Sequence, residues 1–254
     1  GFTIPRAIPS TPWQGVAALE VAHVWFYKGN WQGAVFLDDK PVKAISAYLT
    51  LPNRVEGNPY RLMANADKSF TGSVVLGMGF VLEPEEAQAL IAKNPQNKDC
   101  LFPYLNGEDL NSSPTQSPSR WVINFSDWPL NRRAEGQWTT ASNEQRKVWL
   151  FTGVVPNDYP YSVAADYPDL LAIVEEKVKP DRDKLGLKND SSAQGYAKYW
   201  WQYARKGKEL YATIQGMERV LVVAATSRTL AFAFTNSEIV FSHATYVLIL
   251  GGYP

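Results

Sequence analysis

Hydrophobic and polar positions along this chain follow two periods, and the elements they predict run as strands, then helices, then strands. Val16 to Tyr27 is rich in β-branched and aromatic residues with partial alternation, which predicts a strand. Lys28-Gly29-Asn30 is turn chemistry, so Trp31 to Leu37 is expected to return as the second strand of a hairpin. Asp38-Asp39-Lys40-Pro41 is a second turn, and Val42 to Leu49 fits a short helix or strand. Leu51 to Pro59 is a Pro/Asn/Gly loop. Ser73 to Leu82 reads as an apolar strand holding Gly77 and Gly79. Pro84 opens a helix through Ala92, with proline in the first turn and Glu85 and Glu86 where the helix dipole favours anions. Phe102 to Asp109 ends a strand and turns, and Arg120 to Phe125 is a short strand.

Ser126 to Val163 is rich in Trp, Pro, Asn and Arg, with one possible helix at Asn143 to Phe151. The 126–163 stretch is therefore expected to be an insertion or a long ordered loop. Tyr167 to Lys179 predicts a helix: Leu170, Leu171, Val174 and Val178 share one face, and Pro180 stops it. Gln194 to Lys206 and Glu209 to Gln215 predict two more helices. Arg219 to Ala225, Leu230 to Phe234 and Ile239 to Leu250 predict strands. Without regular βαβ alternation, the expected class is α+β, with mixed or antiparallel sheets and a helical segment in the middle-to-C-terminal half.

Composition narrows the chemistry. The 254 residues carry 25 basic and 25 acidic side chains, so no global field steers the chain toward nucleic acid or membrane. Any such binding must come from a local patch. Cys100 is the only cysteine, which excludes an internal disulfide and a zinc site built on several thiolates, and a reducing cytoplasmic setting is expected. No apolar run approaches the roughly 20 residues of a membrane helix. The chain starts at Gly1 without Met and stops just after an apolar segment, so it is expected to be a piece of a longer protein.

Most enzyme motifs fail on inspection. Gly77-Met78-Gly79 begins a nucleotide-binding pattern, but Leu82 replaces the third glycine and the pair lies inside a strand pattern; a bulge or close packing accounts for it. Asn58-Pro59-Tyr60 lacks one proline of the amino-methylating Asn-Pro-Pro-aromatic motif. Pro168-Asp169 and Glu175-Glu176-Lys177 mimic a metal-dependent nuclease motif, but all fall on one helix, whereas that chemistry wants adjacent strands around a cation. His23 and His243, the only histidines, both lie on expected strands and form no metal-ligand pair.

Two segments carry positive signals. From Lys177 to Lys208 there are nine Lys/Arg against three Asp, interleaved with Tyr196, Tyr199, Trp200, Trp201 and Tyr203. Basic residues neutralise phosphates and aromatic rings pack on sugars or bases, but a solvated helix with its aromatic side on the core fits as well. Between two apolar strands lies Thr226-Ser227-Arg228-Thr229, a polar tip whose arginine suits guanine O6 and N7 in a major groove. An ordinary exposed turn is the alternative.

Beyond these signals, specific stretches resemble a known family. They are Pro103-Tyr104-Leu105-Asn106-Gly107-Glu108-Asp109-Leu110-Asn111 and Pro118-Ser119-Arg120-Trp121-Val122-Ile123-Asn124-Phe125. Asn65 to Phe70, Val174 to Arg182, Trp200-Trp201, Glu218 to Leu221 and Phe241 to Ala244 add to the match. The chain thereby resembles the target-recognition region of MmeI-like type IIG/IIL restriction-modification enzymes, S-adenosylmethionine-dependent adenine DNA methyltransferases often fused to a nuclease. The resemblance implies that residues 1–254 recognise duplex DNA, and that the catalytic domain and its S-adenosylmethionine lie elsewhere in the parent chain. No catalytic, cofactor or metal residue is then expected here, and the chain by itself is not an enzyme. Base reading is assigned to Ser227, Arg228 and Thr229, with Asn106 and Glu108. Phosphate contact is assigned to Lys179, Arg182, Lys184, Lys188, Lys198, Arg205 and Lys208. Asp109 suits turn capping better than base reading. Lys188 to Lys198 departs from the family's run of basic residues. A protein-interaction module, or the remnant of a decayed restriction gene, remains the alternative, as does a stand-alone enzyme with an unrecognised site.

Overall fold

A computed structural model describes residues 1–15, 19–52 and 62–249, which fall into two units, residues 1–62 and 63–254. The first unit is a four-stranded sheet of β1 (Phe2–Pro12), β2 (Glu20–Lys28), β3 (Val35–Leu37) and β4 (Lys40–Val42), in the order β2-β1-β3-β4. β1 had no counterpart in the hydrophobic pattern because Pro5, Pro9 and Pro12 argue against a strand. The ladder to β2 absorbs two of them at register shifts, between Thr3 and Arg6 and between Ile8 and Thr11, where an N–H is not required. β1 therefore lies between β2 and β3, and the expected hairpin of β2 with Trp31 to Leu37 does not form. Within the described residues of this unit only Ala7 is buried, and Trp25, Phe26 and Tyr27 are all exposed.

The second unit begins with β5 (Ser69–Thr71), β6 (Val81–Leu82) and α1 (Pro84–Lys93). In α1 Pro84 fills the first turn, and Glu83 and Glu86 form a capping box. Ser73 to Leu82 is not one strand. Ser73 and Val74 make single bridges to Ser242 and Arg205, Gly77 has φ 148°, and Met78–Phe80 closes a short 3-10 turn. A Cβ on Gly79 would stand 2.4 Å from Lys177 Cβ, so close packing, not phosphate binding, explains this glycine.

Next come β7 (Leu101–Leu105), α2 (Gly107–Ser112) and β8 (Arg120–Ile123). The 126–163 segment holds α3 (Asn143–Thr152), capped by Ser142 and ended by left-handed Gly153. It packs a small cluster of its own, Trp149, Val155 and Val163, edged by Trp138 and Tyr159. α4 (Pro168–Lys177) and α5 (Lys179–Gly186) replace the single helix expected before Pro180. Pro180 sits in the first turn of α5, where its missing N–H costs nothing. α6 (Ser191–Lys198) stops well before Lys206, because Trp200, Trp201 and Tyr203 turn into the core. After α7 (Lys208–Ile214) the chain returns through β9 (Arg219–Ala224), β10 (Phe232–Asn236), β11 (Val240–Phe241) and β12 (Thr245–Leu248). The stretch expected as one closing strand is thus two, and His243 lies in the turn between them, while His23 is on β2.

Two further four-stranded sheets result, ordered β10-β9-β12-β5 and β11-β7-β8-β6. Mixed and antiparallel sheets joined with helices, without regular βαβ alternation, make the chain α+β. Neighbouring residues of β11 serve different cores. Val240 joins Leu101, Val122 and the α4 residues Leu170 and Val174, whereas Phe241 joins Leu105, Val222, Val247 and the α7 residues Leu210 and Ile214. Among the described residues no helix is long and apolar enough to cross a membrane.

Candidate nucleic-acid interface

The β9–β10 hairpin projects the tip that the sequence singled out. Residues 225–231 are all exposed, Arg228 among them. The tip is braced rather than loose. Thr229 N–H donates to Ser227 Oγ at 3.1 Å, and Ala225 N–H donates to Ala244 O at 2.8 Å. Asn111 of α2 donates through Nδ2 to Thr226 O at 3.1 Å. Gly107 lets α2 approach this sheet, since a Cβ there would meet Ala244 O at 3.1 Å.

That brace unites two groups nominated separately, the hairpin tip and the Asn106 to Asn111 stretch. Within the latter the roles divide. Asn106 Oδ1 accepts from the N–H groups of Glu108 (2.7 Å) and Asp109 (3.1 Å), and buried Asp109 accepts from Asn106 N–H at 2.9 Å. This is a capping box, so the Asn106 acceptor is committed to the fold and Asp109 is structural. Glu108 stays exposed. Arg120, half-buried on β8, lies opposite Tyr104 of β7.

The basic segment sorts by burial. Arg182 is 1% exposed, and its guanidinium donates to the carbonyls of Leu76 (2.9 Å), Val75 (3.0 Å), Gln202 (3.3 Å) and Tyr196 (3.3 Å). Burial pulls its pKa down to about 10. Arg182 therefore leaves the set able to meet a phosphate. Lys179 is half-buried, pairs with Glu175 at 2.9 Å and lies 5.2 Å over Trp200. Lys184 pairs with Asp181 at 3.0 Å, and Lys198 sits 3.4 Å over the Phe151 ring. Lys208 pairs with Asp127. Lys188 and Arg205 are exposed without an ion pair among the described residues. Exposed pairs such as those of Lys184 and Lys208 hold by about 0–1 kcal/mol, so both cations can exchange to a phosphate.

The aromatic residues of the segment serve the core. Trp200, Trp201 and Tyr203 are buried, with Trp201 Nε1 donating to Trp128 O at 2.9 Å and Tyr203 OH to Ile123 O at 2.7 Å. They cannot stack on bases without leaving the core. The nuclease-like residues Asp169, Glu175, Glu176 and Lys177 share α4, and Asp169 is held by Lys93 at 2.5 Å. Among the described residues no three His, Cys, Asp or Glu side chains cluster as metal ligands. Asn58-Pro59-Tyr60 lies outside the described residues. Neither Asn111 as a brace nor Lys206 as a half-buried cation is legible in the residue pattern.

No family model matches the chain, and no curated protein matches it. Among solved structures it is similar to the type IIL restriction-modification enzyme MmeI, seen in complex with DNA, with 16% identity and a TM-score of 0.52. The match covers 98% of this chain and 30% of that one, so the chain spans less than a third of that enzyme's length. At this identity the likeness is one of fold, and it is the fold that the resemblance in the sequence led one to expect.

Proposed function

We propose that this chain reads duplex DNA sequence on behalf of an adenine-N6 DNA methyltransferase of the restriction-modification type. The observation that carries the proposal is the exposed Ser227-Arg228-Thr229 tip, braced by the Asn111 to Thr226 hydrogen bond. A rigid polar tip with an arginine is what direct readout of guanine needs, because a loose loop would lose the gain to ordering. The fold shared with an enzyme seen on DNA supports it. In this reading Arg228 donates to guanine O6 and N7, and Ser227, Thr229 and Glu108 read neighbouring base edges. Lys179, Lys184, Lys188, Lys198, Arg205 and Lys208 neutralise phosphates and set the register. Chemistry on the extruded adenine, with its S-adenosylmethionine, belongs to a catalytic domain of the same parent chain in the cytoplasm. The chain itself contributes recognition and no catalysis.

The protein-interaction alternative has one observation in its favour. The first unit exposes Trp25, Phe26 (67%) and Tyr27 on a sheet that buries only Ala7.

The test compares two variants of the chain on a duplex that it selects. Arg228→Ala should cost roughly 1–3 kcal/mol at one base pair and relax the preference there. Lys184→Ala should weaken all sequences alike and flatten the salt dependence. Identical effects from the two would defeat the division of labour.

A further inference from the structure

Beside the basic segment lies a cleft of about 380 Å³ that shares only Lys208 with the residues assigned to the duplex. Buried Ile239 and Val240 form its floor, and Phe102 of β7 and Tyr211 of α7 line it. The Tyr211 ring is fixed: its hydroxyl bonds Ser73 Oγ at 3.1 Å and accepts from Phe241 N–H at 3.1 Å. Two charges without an ion pair among the described residues, Lys206 and Glu238, line it beside the paired Lys208 and Asp127. Lys206 is half-buried and has no ion pair among the described residues; burial, and after it neighbouring Lys208, lowers its pKa. Lys208, by contrast, spends its charge on Asp127 at the rim. Glu238 also lines the cleft without an ion pair among the described residues. A half-buried ammonium without a direct ion pair, only partly offset by Asp127, favours an anionic ligand. A cleft with an apolar floor and a polar, charged remainder, at the small end of ligand pockets, suits one flat molecule with polar substituents and excludes a duplex.

We propose that this cleft binds a single nucleotide whose base carries an exocyclic amine. Its phosphate meets Lys206, its ring lies against Phe102 and Tyr211, and its amine donates to Glu238. A free mononucleotide and an unpaired nucleotide of a strand offer the same chemistry. The proposal stands apart from base reading by the hairpin, since it uses none of the tip residues.

Calorimetric titration of the full chain with dCMP, dTMP and deoxycytidine tests it. The expected result is binding of dCMP, about ten-fold weaker binding of dTMP, which lacks the amine, and a similar loss for deoxycytidine, which lacks the phosphate. Lys206→Met should erase the difference between dCMP and deoxycytidine, and Glu238→Gln the difference between dCMP and dTMP. Thermal melts of both variants exclude a folding defect, and Arg228→Ala should leave all three titrations unchanged. Competition by a duplex with one unpaired cytidine, but not by a fully paired one, assigns the ligand to a strand; competition by neither assigns it to the free nucleotide. Absence of binding by the mononucleotides and by the unpaired-cytidine duplex overturns the proposal. So does a Lys206→Met chain that still prefers dCMP over deoxycytidine.

Discussion

Arg182→Met separates a structural arginine from a DNA-contacting one. The native guanidinium serves four carbonyls, on residues 75, 76, 196 and 202, and ties the turn before β6 to α5, to α6 and to the segment after α6. Methionine fills most of the volume and supplies no donor. Four acceptors losing a charged partner cost about 1.5 kcal/mol each, roughly 6 kcal/mol together. Against this stands relief from burying a charge. A pKa pulled down to about 10 by burial places that relief at about 3 kcal/mol. The net expected loss is about 3 kcal/mol, a large part of an ordinary domain's stability. In urea, with a slope near 2 kcal/mol per molar, the midpoint should fall by about 1.5 M at unchanged slope. Arg182→Lys should recover little, because an ammonium cannot span the same fork of carbonyls. Below the transition, duplex affinity and its salt dependence should match the native chain. A native midpoint with a flattened salt dependence would return Arg182 to the phosphate contacts.

Further outcomes follow from other contacts. Asp166 is partly buried, which raises its pKa, but the Arg132 hydrogen bond and the Val163 N–H prevail and hold it below the usual carboxylate range. Its stabilising contribution is therefore present above the unfolded value of about 4 and lost as pH falls through the lower folded value. Asp166→Asn should destabilise at pH 7, with the gap to the native chain closing in acid, as read by urea midpoints across pH. Gly79→Ala should cost about 1–3 kcal/mol in the same assay, since its methyl would meet the Lys177 backbone at 2.9 Å. Asn111→Ala should leave the stability read from the urea midpoint within about 1 kcal/mol but speed amide exchange at residues 226–229, because it removes only the brace.

The sequence made the local signals legible. Pro84 with Glu86, the apolar face of Leu170 and Val174, and the paired apolar runs around Thr226 each predicted their element. Prolines misled where tertiary context decides. Pro5 and Pro9 hid β1 because their tolerance depends on bulges in the ladder, and Pro180 starts a helix as readily as it stops one. The hairpin tip was legible as a polar interruption, yet its brace was not. Asn111 and Thr226 are 115 residues apart, and no spacing rule joins them. Arg182 was misassigned because charge counting cannot tell a solvated arginine from one enclosed by carbonyls. Trp200 and Trp201 raised the same ambiguity, which burial resolves in favour of the core.

Selection from a randomised duplex pool by the native chain tests sequence recognition most directly. One discrete motif containing a guanine should be enriched, and the preference at that guanine should be lost when the selection is repeated with Arg228→Ala. Retention of duplex without any enriched motif, or the same motif recovered with Arg228→Ala, would contradict it.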